Sequence, residues 1–153
     1  MDFIFEYTEN YNIGGPIYIL EEESFNFKPY VESDFTLMLG CSYLGLNIST
    51  KTKALVNISG LCPKRIWKCE KLNVPQNVVK GNVILVTDEI LMSGTGKDLL
   101  TNTVILYDSE NNWFCIKPNY DIQSDLKIQF ADNCILCLSK GRFAELWIKP
   151  KFE

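Results

Sequence analysis

Residues 103–150 read TVILYDSENNWFCIKPNYDIQSDLKIQFADNCILCLSKGRFAELWIKP, and this stretch decides the fold. Its apolar runs are short: TVILYD and WFCIKP around SENN, then KIQFADNCILCL, then FAELWIKP after SKGR. Short apolar runs bounded by Asn, Asp, Gly and Ser read as strands joined by tight turns. The expectation from Asn102 to Pro150 is five short strands in an up-and-down meander.

Toward the N-terminus the same texture continues, less regularly. FIFEY (Phe3 to Tyr7) alternates and predicts an opening strand. PIYIL begins with Pro16, which lacks an N–H and suits a first or edge position. FNFKPYV (Phe25 to Val31) is broken by Pro29. From Phe35 to Ile48, Gly40 and Gly45 predict one bent strand or two joined at a bulge. STKTK is a turn, with ALVNIS returning as an antiparallel partner. LCPKRIWKCEKLNVP reads as a strand with Trp67 and Cys69 on one face, or as a helix opening at Pro63. Asn82 to Thr87 predicts a buried strand. DEILMSGTGKDLL predicts a loop or a single helical turn, because Gly94 and Gly96 interrupt any longer helix.

No segment of twelve residues keeps a helical period without Gly or Pro inside it, and no internal repeat or linker is visible. The expected fold is mainly β: residues 1–153 form a single antiparallel β domain, a sandwich or partly open barrel, with at most one or two short helices. A chain of 153 residues is long enough to bury a core without staples.

Charge narrows the choice of partner. The net charge is -4 and the pI about 4.9, so no global attraction to nucleic acid or anionic lipid is expected. The charge is uneven. Residues 1–50 carry eight acids and one base, whereas residues 51–80 carry seven bases and one acid. Either these regions pair on folding or they form separate faces.

The chemistry-bearing residues mostly exclude. There is no His, which removes the commonest general base at neutral pH and the imidazole metal ligands. SGTGKD (Ser93 to Asp98) resembles a phosphate loop, but Leu91 stands at the first Gly position and Asp98 replaces the hydroxyl. Cys134-Ile-Leu-Cys137 has metal-knuckle spacing, yet its apolar neighbours make it a strand, and residues three apart in a strand face opposite ways. The carboxylate pairs, such as Asp88-Glu89, sit in no mechanistic motif. No catalytic residue, cofactor or metal is expected. The N-terminus has no leader pattern and no run spans a bilayer, so the six cysteines are expected to be reduced and the protein cytoplasmic.

The strongest positive signal is an acidic-aromatic stretch. Tyr18 and Tyr30 lie among Glu21, Glu22, Glu23, Glu32 and Asp34. Aromatics supply contact area at interfaces, and carboxylates steer a basic partner. These seven residues are the expected contacts with a protein partner. The bland alternative turns the aromatics to the core and the acids to water. A small-ligand or single-stranded nucleic-acid reader would instead use RIWKCEK (Arg65 to Lys71), where Trp67 sits among bases.

The closing segment FADNCILCLSKGRFAELWIKP (Phe130 to Pro150) resembles the final hairpin of small immunity proteins from bacterial toxin–immunity systems. The resemblance covers about one-seventh of the chain and rests on a D-N turn and a K-G-R turn. It implies a non-enzymatic inhibitor that binds and neutralises one cognate toxin domain, and it carries no functional residues across.

Overall fold

In a computed structural model that describes residues 3–40 and 43–153, the chain is mainly β. The first strands are β1 (Ile4–Thr8), β2 (Gly15–Ile19), β3 (Ser24–Lys28), β4 (Phe35–Leu39), β5 (Gly45–Ile48) and β6 (Leu55–Leu61). A 3-10 turn (Lys64–Ile66) then leads into β7 (Trp67–Cys69). Next come β8 (Val79–Lys80), β9 (Asn82–Val86) and β10 (Thr95–Leu100). The apolar runs of the C-terminal third become β11 (Val104–Asp108), β12 (Trp113–Lys117), β13 (Leu126–Ala131), β14 (Cys134–Ser139) and β15 (Arg142–Ile148). The chain closes with β16 (Lys151–Phe152).

Two seven-stranded sheets face each other as a sandwich, and β1 pairs with β9 in a separate ribbon. One sheet has the order β10-β4-β5-β6-β3-β2-β16, the other β7-β11-β12-β15-β14-β13-β8. Phe25 of one sheet meets Phe114 of the other edge to face, with ring centroids 5.1 Å apart. One cluster of buried side chains runs between the sheets, from Phe5 to Ile148. A second, smaller cluster lies on the outer face of the second sheet. There Cys115, Cys137, Ala144 and Trp147 are covered by Leu72, Val74, Val78 and Ile122.

The five C-terminal strands are present, but they do not form an up-and-down meander. β12 pairs with β15, not with β13, and residues 118–125 make the crossing. The reason lies in β15, whose Phe143, Ala144, Leu146, Trp147 and Ile148 are all buried. A strand apolar on both faces belongs in the middle of a covered sheet, not at its end. Three other expectations are corrected. Phe35 to Ile48 forms two antiparallel strands, not a bent strand or a bulged pair. DEILMSGTGKDLL is half strand: β10 lies parallel to β4 at a sheet edge. The Pro63 segment combines both readings, a 3-10 turn followed by three residues of strand.

The chain also contains a repeat that is absent from its sequence texture. β2 to β6 are ordered β2-β3-β6-β5-β4, and β11 to β15 are ordered β11-β12-β15-β14-β13, the same Greek-key path. Tyr18 and Phe25 pair across β2–β3 as Tyr107 and Phe114 do across β11–β12. Both intervening turns end on a non-Gly residue of positive φ, Glu23 (φ 51) and Asn112 (φ 64). The strand trailing each unit crosses to the other: β7 lies parallel to β11, and β16 lies parallel to β2.

Candidate protein-binding face

The strand directions separate the seven expected contacts. Glu21, Glu22 and Glu23 form the β2–β3 turn at one end of the sandwich, while Tyr30, Glu32 and Asp34 follow β3 at the other. Adjacency in sequence became separation because a hairpin strand lies between them. Tyr18 is not a contact residue. It is 0 % exposed, its ring packs against Phe25 and Trp67, and its hydroxyl donates to the Cys62 carbonyl at 2.8 Å. In β2 it alternates onto the core face, which the aromatic-rich sequence alone could not distinguish from the surface.

Asp34 holds the chain together locally. Its carboxylate accepts from the Thr50 backbone N–H at 2.8 Å and from the Thr50 hydroxyl, tying the β5–β6 turn to the start of β4. Those two bonds hold the Asp34 carboxyl below the usual carboxylate range. Its carbonyl accepts from the Gly94 N–H at 2.6 Å. That bond brings the loop of residues 87–94 beside the loop of residues 29–34.

Both loops carry exposed apolar side chains, of which Ile90 and Met92 were not expected from the sequence. Tyr30 is 78 % exposed, Ile90 92 % and Met92 67 %, whereas Leu91 between the last two is buried as an anchor. Exposed Glu32, Asp88 and Glu89 lie on the same loops. Glu89 makes only a surface ion pair with Lys97, at 3.3 Å. The backbone beneath Tyr30 is fixed, because Asn57 Nδ2 donates to the Val31 carbonyl at 3.0 Å. Asn57 in turn accepts from Asn47, whose own Oδ1 accepts from Thr36. Asn47 and Asn57 floor a cleft of about 150 Å³ walled by Tyr30 and Val31. The signal for Ile90 and Met92 was an apolar triplet inside an otherwise polar loop, with no periodic partner.

At the opposite end Glu23 caps the 3-10 turn, its carboxylate accepting from the Lys64 N–H at 3.0 Å. Among the described residues, no ion pair joins the acids of residues 1–50 to the bases of residues 51–80. Trp67 lies half-buried with its ring edge on Phe114 at 4.7 Å and its indole N–H donating to the Cys62 carbonyl at 3.2 Å.

The cysteine pair behaves as its strand position requires. Cys134 belongs to the inter-sheet core and Cys137 to the outer cluster, on opposite faces of β14. Burial raises both thiols, Cys137 to about 12. Cys41 lies outside the described residues. Among the described residues, no helix is long and apolar enough to cross a membrane, and no group of three His, Cys, Asp or Glu side chains is arranged to hold a metal ion.

No protein-family model matches this chain, and no curated protein does.

Proposed function

We propose that this chain is a non-enzymatic protein-binding module that neutralises a basic partner through the end formed by residues 29–34 and 87–94. In the specific form, it is an immunity-type inhibitor of a bacterial toxin domain and works in the cytoplasm. The observation that carries the reading is the exposure of Tyr30, Ile90 and Met92 on adjoining loops beside Glu32, Asp88 and Glu89. Large apolar side chains exposed on loops joined by a backbone bond can form a contiguous patch of the kind that marks interaction sites. An aromatic anchor with a charged rim gives both contact area and a fast approach for a basic partner. The turn of Glu21 and Glu22 lies outside this face and serves as a comparison.

A toxin-like open reading frame beside the gene would supply the partner to test. Co-expression should restore growth, and the purified proteins should form a complex. The combined variant Tyr30→Ala, Glu32→Lys, Ile90→Asp should lose protection and weaken binding by at least about 100-fold, the scale of one or two lost hot-spot residues. Glu21→Lys with Glu22→Lys should leave both intact. The reverse pattern removes this face from the site, and a gene set within a metabolic operon argues against the toxin-neutralising form.

A further inference from the structure

A depression opens between the two sheets where the exchanged edge strands lie. Leu20 and Phe152 line it from the first sheet, and Trp67, Cys69 and Tyr107 line it from the second. Its volume of about 500 Å³ falls within the range of about 300–1,000 Å³ typical of small-molecule sites. Its wall continues inward as a group of rings in tilted and edge-to-face contact. Trp67 meets Tyr107 at 5.0 Å and Phe114 at 4.7 Å, while Phe152 meets Tyr18 at 5.7 Å. Aromatic groups dominate here because β7 and β16 are only three and two residues long and leave the gap between the sheets uncovered.

Among the described lining residues the one charged side chain is Lys64. Exposed Arg65 and Lys68 follow it in the chain. Among the described residues, none of these three takes part in an ion pair. The nearby Glu23 carboxylate is turned to the Lys64 backbone N–H. The depression thus offers ring surfaces for stacking and an unpaired ammonium at the rim.

We propose that this depression is a binding site for a small planar aromatic molecule carrying an anionic substituent. The ring lies in the depression against Trp67, Tyr107 and Phe152, which already touch one another, and the anion is held by Lys64. Ring stacking and apolar burial supply the affinity, while the ammonium sets the sign of the charge accepted. The site lies at the opposite end of the sandwich from Tyr30 and is independent of the binding face there.

The test is an NMR titration of the full chain with 1-naphthalenesulfonate, following the Trp67 indole N–H, identified by its loss in Trp67→Phe. A saturable shift is expected at Trp67 and at the Lys64 and Cys69 amides. Lys64→Glu, an exposed position, should weaken that binding by roughly fivefold, the scale of one surface charge contact. (1-Naphthylmethyl)ammonium should bind the wild type more weakly than the sulfonate and gain affinity in Lys64→Glu. Uridine monophosphate and an eight-residue thymidine oligonucleotide form the remaining arms. Binding of the oligonucleotide without either small anion would overturn the proposal in favour of a strand reader. No shift at Trp67 would overturn it, as would indifference to Lys64→Glu or tighter binding of the ammonium probe.

Discussion

Asp34 and Asp125 hold equivalent turns in the two halves of the molecule. Asp34, one residue before β4, accepts from the Thr50 N–H after β5; Asp125, one residue before β13, accepts from the Lys140 N–H after β14 at 3.2 Å. Each follows a serine, as Ser33-Asp34-Phe35 and Ser124-Asp125-Leu126. Asp34→Ala and Asp125→Ala should each lower the melting temperature by a few degrees through the loss of a charge-assisted bond to a turn. The turns belong to different sheets, so the double variant should lose the sum of the two. Calorimetry checks both points, and a double variant no worse than either single one would remove the equivalence.

Acid should destabilise the fold through a few named carboxylates. Asp34 is depressed chiefly by the Thr50 hydroxyl, Asp108 chiefly by the Leu72 N–H, and Asp121 by the Lys117 ammonium. A carboxyl depressed in the folded state stabilises above its unfolded value and loses that contribution as pH falls through the folded one. Stability should therefore hold near neutrality and decline below about pH 4. Asp108→Asn should start lower and decline less steeply; an unchanged slope would clear Asp108 of the effect. Burial raises the Tyr18 and Tyr107 hydroxyls, so a corresponding loss should appear above about pH 10 as the unfolded chain ionises.

Tyr18 and Tyr30 should separate stability from binding. Tyr18→Phe removes a buried hydroxyl from the Cys62 carbonyl and should cost about 1 kcal/mol in urea unfolding, with partner affinity unchanged. Tyr30→Ala should leave the unfolding midpoint in place and weaken the complex. If both variants changed only stability, Tyr30 would not be a contact.

Thiol labelling should report the same division of inside and outside. Among the described cysteines, Cys69 is exposed and Cys62, Cys115, Cys134 and Cys137 are buried. In a Cys41→Ser background, iodoacetamide should modify Cys69 in the native state and the other four only on unfolding. Rapid native labelling of Cys134 or Cys137 would contradict the two-faced burial of β14.

Much of this was legible beforehand, and the failures have physical causes. Strand existence followed from apolar runs and turn residues, as at TVILYD and WFCIKP. Strand order did not, because pairing β12 with β15 depends on both faces of β15 being covered, a tertiary fact. The repeat escaped because its halves share only a few residues in matching places: Tyr18 with Tyr107 and Phe25 with Phe114 as cross-strand ring pairs, and Asp34 with Asp125 as acceptors for a turn N–H. Unequal turns shift the spacing between them, so no fixed period survives. In the proposed face, Tyr30 and Glu32 were suggested by composition. Tyr18 was misplaced because alternation within β2 decided its side, and Ile90 and Met92 were missed because an exposed apolar triplet has no periodicity to detect.

The crossing of β7 and β16 makes each half incomplete alone. β16 returns to the sheet of the first half after all of the second has been traced, and β7 leaves the first half to edge the second. Cleaving the chain within residues 87–94 should therefore yield two fragments that are each disordered in isolation. Mixed, they should reassociate into one folded heterodimer, as two hands clasped by exchanged fingers. Such a protein would tolerate a nick but not an amputation, and a partner gripping residues 87–94 would be holding the seam.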